Sequence, residues 1–175
     1  MEDQVLNVIQ QKLGDVSNAP FPKMVRRDAS PVLLQGKAQA VIGMRRAGKT
    51  FFLYQCLADR LTRGIERARL VYFNFEDERL GTFQAEDLGT IIEEYYRQWP
   101  QYRHQVEVTW CLDEIQIIPG WERFVRRVLD SEKVEIFLSG SSARMLSREV
   151  ATSMRGRAME TVITPFSFRE FLRGR

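Results

Sequence analysis

The segment GMRRAGKT, residues 43–50, has the residue types and spacing that bind phosphate, and is called the phosphate loop below. It lies between the apolar run AQAVI and FFLYQCL, whose apolar residues have helical spacing. Glycines at the first and sixth positions let backbone N–H groups converge on one point, where a helix N-terminus adds partial positive charge. Lys49 would reach the β- and γ-phosphates of a nucleotide, and the Thr50 hydroxyl would bind Mg²⁺.

A glycine-rich turn that matches by chance is the alternative, but a complete match at a strand-to-helix junction favours nucleotide binding. The predicted cofactor-binding residues are Gly43, Arg45, Arg46, Ala47, Gly48, Lys49, Thr50 and Phe51.

The stretch TWCLDEIQ supplies acidic residues that complement the phosphate loop. Asp113 follows residues suited to a buried strand, so it would emerge at the strand's carboxyl end and hold the hydration shell of Mg²⁺. Glu114 would lie where a water attacks the γ-phosphate, as the general base. A lone Asp-Glu pair more often ends a strand at the surface, but its combination with the phosphate loop favours the catalytic interpretation.

Strands and helices alternate along the chain. Short apolar runs rich in β-branched and aromatic residues predict strands at 40–42, 70–75, 106–112, 134–140 and 159–164. Helical spacing of apolar residues predicts helices at 5–13, 53–61, 88–99 and 121–129. This alternation predicts an α/β fold with a mainly parallel sheet covered on both faces and ligands at the carboxyl ends of the strands.

These motifs, in this order, resemble prokaryotic P-loop ATPases with an N-terminal AAA-like domain. The matching segments are G-x-R-R-x-G-K-T at 43–50, N-F-E-D at 74–77, L-D-E-I-Q at 112–116, G-S-S at 140–142, R-G-R at 155–157 and P-F-S-F-R-E-F at 165–171. The resemblance spans about residue 38 to the end, and it departs at Met44, where relatives often carry proline. It implies a five-stranded P-loop NTPase sheet of order 5-1-4-3-2, with the lid domain absent from this chain.

The resemblance also implies roles for serines and arginines. Ser139 or Ser141 would sense the γ-phosphate, although hydroxyls that only cap the next helix are an equal alternative. Arg155 or Arg157 would act as an arginine finger on a nucleotide bound by a neighbouring subunit, and a salt-bridged turn is the competing interpretation.

Composition excludes some other functions. The net charge of +3 is mild and 44% of residues are hydrophobic, which fits one domain and does not by itself indicate nucleic acid. Cys56 and Cys111 fit neither a metal site nor a disulfide framework, and His104 is the single histidine, so a histidine-based metal centre or triad is not expected. No signal peptide or membrane span is evident, and we expect a cytoplasmic protein.

The C-terminal segment predicts how the chain is organised. Ser167 and Glu170 have the spacing of a capping box, with Phe166 and Phe171 placed as a hydrophobic staple. We expect an N-terminal helix and lead-in at 1–31, an AAA-like nucleotide-binding core at 32–165, and at 166–175 the start of a helix that leads to a missing C-terminal region. The alternative is that this helix packs back on the sheet and ends the protein.

Two functions remain open from sequence. The first is a Mg²⁺-dependent ATPase domain that drives or regulates an attached effector module, with ATP and Mg²⁺ as cofactors. The second is a nucleotide-dependent switch or binding domain with little turnover, which leaves nucleic acid open as a partner. A small-molecule kinase is a weaker third option. Expected partners are ATP or ADP and either further copies of the chain or its own C-terminal domain, with no membrane.

Overall fold

The fold is described from a computed structural model that covers residues 2–81, 83–140, 150 and 152–174. Ser141, one of the two predicted sensor serines, lies outside these residues.

A single five-stranded parallel sheet forms the centre of the domain. The strands are β1 (Ala38–Ile42), β2 (Leu70–Asn74), β3 (Val108–Asp113), β4 (Val134–Ser139) and β5 (Ala158–Val162). Their order in the sheet is β2-β3-β4-β1-β5, and every neighbouring pair is parallel. The strand β4 therefore lies between β1 and β3, and the predicted P-loop NTPase order is confirmed.

Helices cover both faces of this sheet. They are α1 (Glu2–Asn18), α2 (Lys49–Thr62), α3 (Leu88–Gln98), α4 (Trp121–Ser131) and the short α5 (Phe168–Arg173). One apolar cluster joins α2 to its face of the sheet, and a larger one joins α1, α3 and α4 to the other face. The predicted α/β class with both faces of the sheet covered is confirmed.

The central strands alternate their side chains between the two clusters. Val41, Cys111 and Phe137 pack toward α2, whereas Leu112 and Leu138 pack into the larger cluster. Both sides of these strands are apolar because both are buried, as expected for parallel strands with helices on each face. The buried cysteine beside Phe137 belongs to this packing, and burial raises the pKa of its thiol well above the ordinary value.

The N-terminal helix is longer than the sequence predicted and is part of the main core. Its apolar residues Val8, Ile9, Leu13 and Val16 are buried in the larger cluster. Residues 19–37, which follow it, have no helix or strand and run to β1 across the α2 side of the domain, where Phe21 and Ala29 pack against the smaller cluster. The division at residue 31 remains a prediction.

Candidate functional site

Three predicted site segments meet at one edge of the sheet. The phosphate loop follows β1, Asp113 is the last residue of β3, and Ser139 is the last residue of β4. Because β4 pairs in parallel with both β1 and β3, the carboxyl ends of these strands lie side by side. Groups that are about 60 to 90 residues apart in sequence are thereby brought within one site.

The phosphate loop needs its two glycines for different reasons. A Cβ on Gly43 would lie 2.2 Å from the carbonyl oxygen of Ile163, so a side chain would force the loop away from the segment after β5. Gly48 has a φ of 93°, in the left-handed region that favours glycine. Arg46 also has a positive φ, of 64°. The loop therefore curls tightly before it enters α2, the conformation in which backbone N–H groups line a concave surface.

Lys49 lies across this loop. Its residue is 6% exposed, and its Nζ donates to the carbonyl oxygen of Met44 at 3.1 Å. The ammonium thus reaches from the first turn of α2 back to the second residue of the loop. A buried ammonium with one carbonyl acceptor retains donors for an anion placed in the concave surface.

Asp113 accepts hydrogen bonds from three hydroxyls. Its Oδ2 accepts from Thr50 Oγ1 at 2.8 Å and from the Tyr72 phenol at 2.7 Å, and its Oδ1 accepts from Ser139 Oγ. Asp113 itself is 1% exposed. The two residues predicted to bind Mg²⁺ are therefore in direct contact, one at the start of α2 and the other at the end of β3.

Tyr72 holds the Asp113 carboxylate from the neighbouring strand β2. Its ring stacks on Tyr54 of α2, with ring centroids 4.3 Å apart. Burial raises the pKa of the Tyr72 phenol far above the ordinary value, and the charge of Asp113 raises it further. The phenol is therefore a permanent donor to the carboxylate across the whole working pH range.

Glu114 follows β3 with a left-handed φ of 58°, which turns the chain sharply away from the strand direction. The residue is 8% exposed, and its Oε2 accepts from Gln116 Nε2 at 2.6 Å. Its backbone N–H donates to Ser139 Oγ at 3.4 Å. Ser139 thus contacts both acidic residues of the site, in addition to its predicted position near the γ-phosphate.

The other predicted loop residues divide by burial. Arg45, Arg46 and Phe51 are exposed, the first two on the loop and the third on the first turn of α2. Ala47 is buried, and its carbonyl oxygen accepts from Arg27 Nη1 at 2.7 Å.

Arg155 and Arg157 lie at the amino-terminal ends of the strands, opposite the phosphate loop. They precede β5, whose first residue pairs with Ala38 at the start of β1, so the length of a strand, about 16 Å, separates them from the phosphate loop. Arg157 forms an ion pair with Asp130 of α4, whereas Arg155 is exposed. Neither side chain joins the site within one copy of the chain. The ion pair is the salt-bridged arrangement that competes with a finger role for Arg157.

Sequence reasoning did not identify two residues that contact the site. Tyr72 was placed in a strand, and the pairing of β2 with β3 could have located it, since it lies two positions before the residue opposite Asp113. Arg27 lies in an irregular segment of the lead-in with no periodic signal. Its neighbourhood follows from tertiary packing alone.

The donor set fits a nucleotide with Mg²⁺. The loop amides and Lys49 offer donors for phosphate oxygens, and the contacting Thr50 hydroxyl and Asp113 carboxylate offer the oxygen ligands that Mg²⁺ prefers. Across the described residues, no group of three or more histidine, cysteine or acidic side chains forms a separate metal site. Over the same part of the chain, no helix is long and apolar enough to cross a membrane.

The chain is similar in sequence to curated proteins of two organisms. The chain is 36% identical over 163 residues to an uncharacterized protein of Methanocaldococcus jannaschii, covering 92% of this chain and 34% of that one. It is 35% identical over 135 residues to an uncharacterized protein of Haemophilus influenzae, covering 77% of this chain and 32% of that one. The chain spans about a third of the length of these curated relatives.

Among solved structures, the chain is similar to that of C. elegans PCH-2, with a TM-score of 0.46 and 10% identity over 94% of this chain and 43% of that one. A family model described as an AAA domain, AAA_14, matches residues 35–172. This match extends from just before β1 into α5 and includes the phosphate loop and both acidic residues. The chain therefore belongs to this AAA domain family of P-loop ATPase-like proteins.

Proposed function

We propose that this domain binds ATP with Mg²⁺ at the phosphate loop and hydrolyses it. The observation that carries the proposal is the 2.8 Å hydrogen bond between Thr50 Oγ1 and Asp113 Oδ2. It joins the loop that would hold phosphates to the acidic strand that would hold the metal. A turn that matched the loop motif by chance would not require a buried carboxylate from another strand at this position.

Each residue of the site has a role in this proposal. Lys49 and the loop amides would hold the β- and γ-phosphates, and Thr50 with Asp113 would hold Mg²⁺, which when bound supplies positive charge beside the phosphates. Glu114 accepts a proton from the attacking water. Gln116, which donates to Glu114 Oε2, competes with that water for this oxygen.

A second function is favoured by the same Glu114 contact. With its Oε2 held at 2.6 Å by Gln116, the carboxylate has one lone-pair direction already occupied. A domain in which this contact persists would bind nucleotide and hydrolyse it slowly, as a switch. Phosphate release by the purified protein, with and without Mg²⁺, separates the two functions: Mg²⁺-dependent release supports the ATPase, and tight binding without release supports the switch.

The groove beside α4 gives no support to nucleic acid as a partner. Three exposed arginines of α4, Arg123, Arg126 and Arg127, line a groove of about 890 Å³ near the start of α3. Glu86 and Glu122 line the same groove, so it presents both signs of charge. A phosphate backbone is favoured by a continuous basic surface.

We propose further that the nucleotide site controls an effector module joined to the carboxyl end of the domain, and that copies of the domain associate. The relatives are about three times as long as the aligned part. Phe168 and Leu172 of α5 are 76% and 51% exposed, a surface that a packed module would cover. In the full-length archaeal relative, nucleotide should alter protease sensitivity outside the AAA part; identical cleavage with and without nucleotide contradicts this control.

A further inference from the structure

The guanidinium of Arg27 connects three distant segments of the chain. Its Nε donates to Glu170 Oε1 at 3.0 Å, its Nη1 donates to the carbonyl oxygen of Ala47 at 2.7 Å, and its Nη2 donates to the carbonyl oxygen of Thr164. The residue is 5% exposed, although it belongs to a segment without helix or strand. All three nitrogens of the guanidinium are thus used, between the phosphate loop, the chain after β5 and helix α5.

The backbone of Arg27 is fixed as firmly as its side chain. Its N–H donates to Gln55 Oε1 at 2.7 Å, and its carbonyl oxygen accepts from Gln55 Nε2 at 3.1 Å. Gln55 is a buried residue of α2. The Phe166 ring lies against the guanidinium, 4.7 Å from ring centroid to Cζ. Because both the backbone and the guanidinium of Arg27 are held, the guanidinium N–H groups have one orientation relative to the start of α2.

The contact with Ala47 determines the orientation of a phosphate-loop amide. The carbonyl of Ala47 and the N–H of Gly48 belong to the same planar peptide unit and, because the unit is trans, point in opposite directions. A hydrogen bond that holds the carbonyl toward Arg27 therefore directs the Gly48 N–H to the other side. A Cβ on Gly48 would lie 3.0 Å from Arg27 Nη1, a contact tight enough to push on the guanidinium.

Glu170 pairs with Arg27 and holds its guanidinium near helix α5. Its Oε1 accepts from the backbone N–H of Asp28 at 2.8 Å as well as from Arg27, and its Oε2 accepts from the N–H of Ser167 at 2.8 Å. The arginine is thus paired with a buried carboxylate that also caps α5. With each of its three nitrogens donating within the fold and its charge paired with Glu170, the guanidinium acts on phosphate through the peptide that it holds.

We propose that Arg27, held in place by Glu170, is a positioning residue that orients the Gly48 N–H of the phosphate loop toward a bound phosphate. The inference rests on the proposed nucleotide function of that loop. It also makes α5 a part of the phosphate site, since its cap residue holds the arginine.

A second buried arginine provides a matched control. Arg60, at the last turn of α2, donates to the Glu135 carboxylate through Nε and Nη2 and to the carbonyl oxygen of Cys56 through Nη1 at 2.7 Å. It is 6% exposed, close to the value for Arg27, and is eleven residues or about 16 Å along the helix from Lys49. Arg60→Lys therefore removes a buried guanidinium of the same kind without affecting the phosphate loop.

The experiment compares Arg27→Lys, Arg60→Lys and the unchanged protein by ADP titration, thermal unfolding and hydrogen exchange of peptides across residues 43–50. Lysine keeps the charge at position 27 but offers a single nitrogen in place of three. We expect both variants to lower Tm. Only Arg27→Lys should raise the Kd for ADP, by about 10- to 100-fold, and speed exchange in the loop. Glu170→Gln, which preserves the capping box, should raise the Kd by less.

Unchanged ADP affinity and loop exchange in Arg27→Lys, with a Tm loss like that of Arg60→Lys, would overturn the inference and leave the proposed function standing. Equal loss of affinity in both lysine variants would also overturn it, because it would show a general effect of stability. If the unchanged protein binds no nucleotide, the proposed function fails. Loop exchange in the apo variants then still decides whether Arg27 holds the loop.

Discussion

Replacement of Tyr72 by phenylalanine tests how the Asp113 carboxylate, the proposed metal ligand, is held. The change deletes one phenolic oxygen and keeps the ring, its stacking on Tyr54 and nearly all of its volume. Asp113 would lose the 2.7 Å hydrogen bond to its Oδ2 while retaining its contacts with Thr50 and Ser139. If Thr50 binds Mg²⁺ as proposed, Tyr72 and Ser139 are the two side-chain hydroxyls left to orient the carboxylate.

The magnitude follows from the charge and burial of this contact. A hydrogen bond to a charged group contributes about 1.5–3 kcal/mol, and loss of an outer contact to a metal ligand costs about 10- to 100-fold in metal affinity. Because Ser139 still holds Oδ1, we expect the lower end: about a tenfold higher Mg²⁺ concentration for half-maximal nucleotide binding or turnover. A Mg²⁺ titration at fixed ATP measures this shift.

Tyr95→Phe is the control for Tyr72→Phe. Tyr95 is a fully buried tyrosine whose hydroxyl donates to the carbonyl oxygen of Ala68 at 2.8 Å, away from the site. Loss of this hydrogen bond should lower the free energy of unfolding by about 1 kcal/mol and leave the Mg²⁺ requirement unchanged. If Tyr72→Phe keeps the parental Mg²⁺ requirement, or if both variants raise it equally, the phenol does not position the metal ligand.

Three further predictions concern other residues. Glu114→Gln should bind ATP like the unchanged protein and release phosphate at least about 100-fold more slowly, because an amide accepts no proton from water; parental turnover would exclude Glu114 as the base. Mixing Glu114→Gln protein with Arg155→Ala protein, and separately with Arg157→Ala protein, should restore activity in one mixture if a finger acts between copies; recovery in neither contradicts it. Backbone N–H groups of Ser167 and Asp28, and then Arg27, lower the pKa of Glu170 from 4.5 to about 2. The ionised carboxylate therefore stabilises the fold above about pH 4.5, and this contribution is lost as the pH falls toward 2. The stability difference between the unchanged protein and Glu170→Gln, measured by denaturant unfolding, should be constant from pH 7 to about 5.5 and shrink by up to about 1.4 kcal/mol per pH unit below 4.5. A difference that does not vary with pH would contradict the assignment.

The fold class could be predicted because the hydrophobic patterns that mark strands and helices are local in the sequence. Apolar runs of three to seven residues between helical segments predicted the parallel sheet, because a strand buried on both faces cannot alternate with polar residues. The strand order came from the resemblance to AAA-like proteins, since pairing partners are not encoded in the period of one strand. The first helix was predicted too short: the predicted helix ended at residue 13, whereas the observed helix runs to Asn18 and buries Val16 beyond Gly14.

Site residues could be predicted where a sequence motif places them directly at the end of a strand. The phosphate loop, Thr50 and Asp113 are adjacent to strand ends, and the structure brings the last two into contact. Tyr72 and Arg27 act through side chains that reach across from other segments. The partner of Tyr72 follows once the register of β2 against β3 is known, whereas the partners of Arg27 depend on how the lead-in packs, which no spacing in the sequence encodes.

The central claim is that the phosphate loop binds nucleotide, and calorimetric titration of Lys49→Ala with ATP and Mg²⁺ tests it most directly. Lys133→Ala is the control, because Lys133 Nζ also donates to a backbone carbonyl oxygen at 3.1 Å, that of Gln105, remote from the loop. We expect the Lys49 variant to bind at least about 100-fold more weakly, since a buried charged donor to phosphate is lost, and the Lys133 variant to bind like the unchanged protein. ATP affinity that is the same in all three proteins would contradict the account.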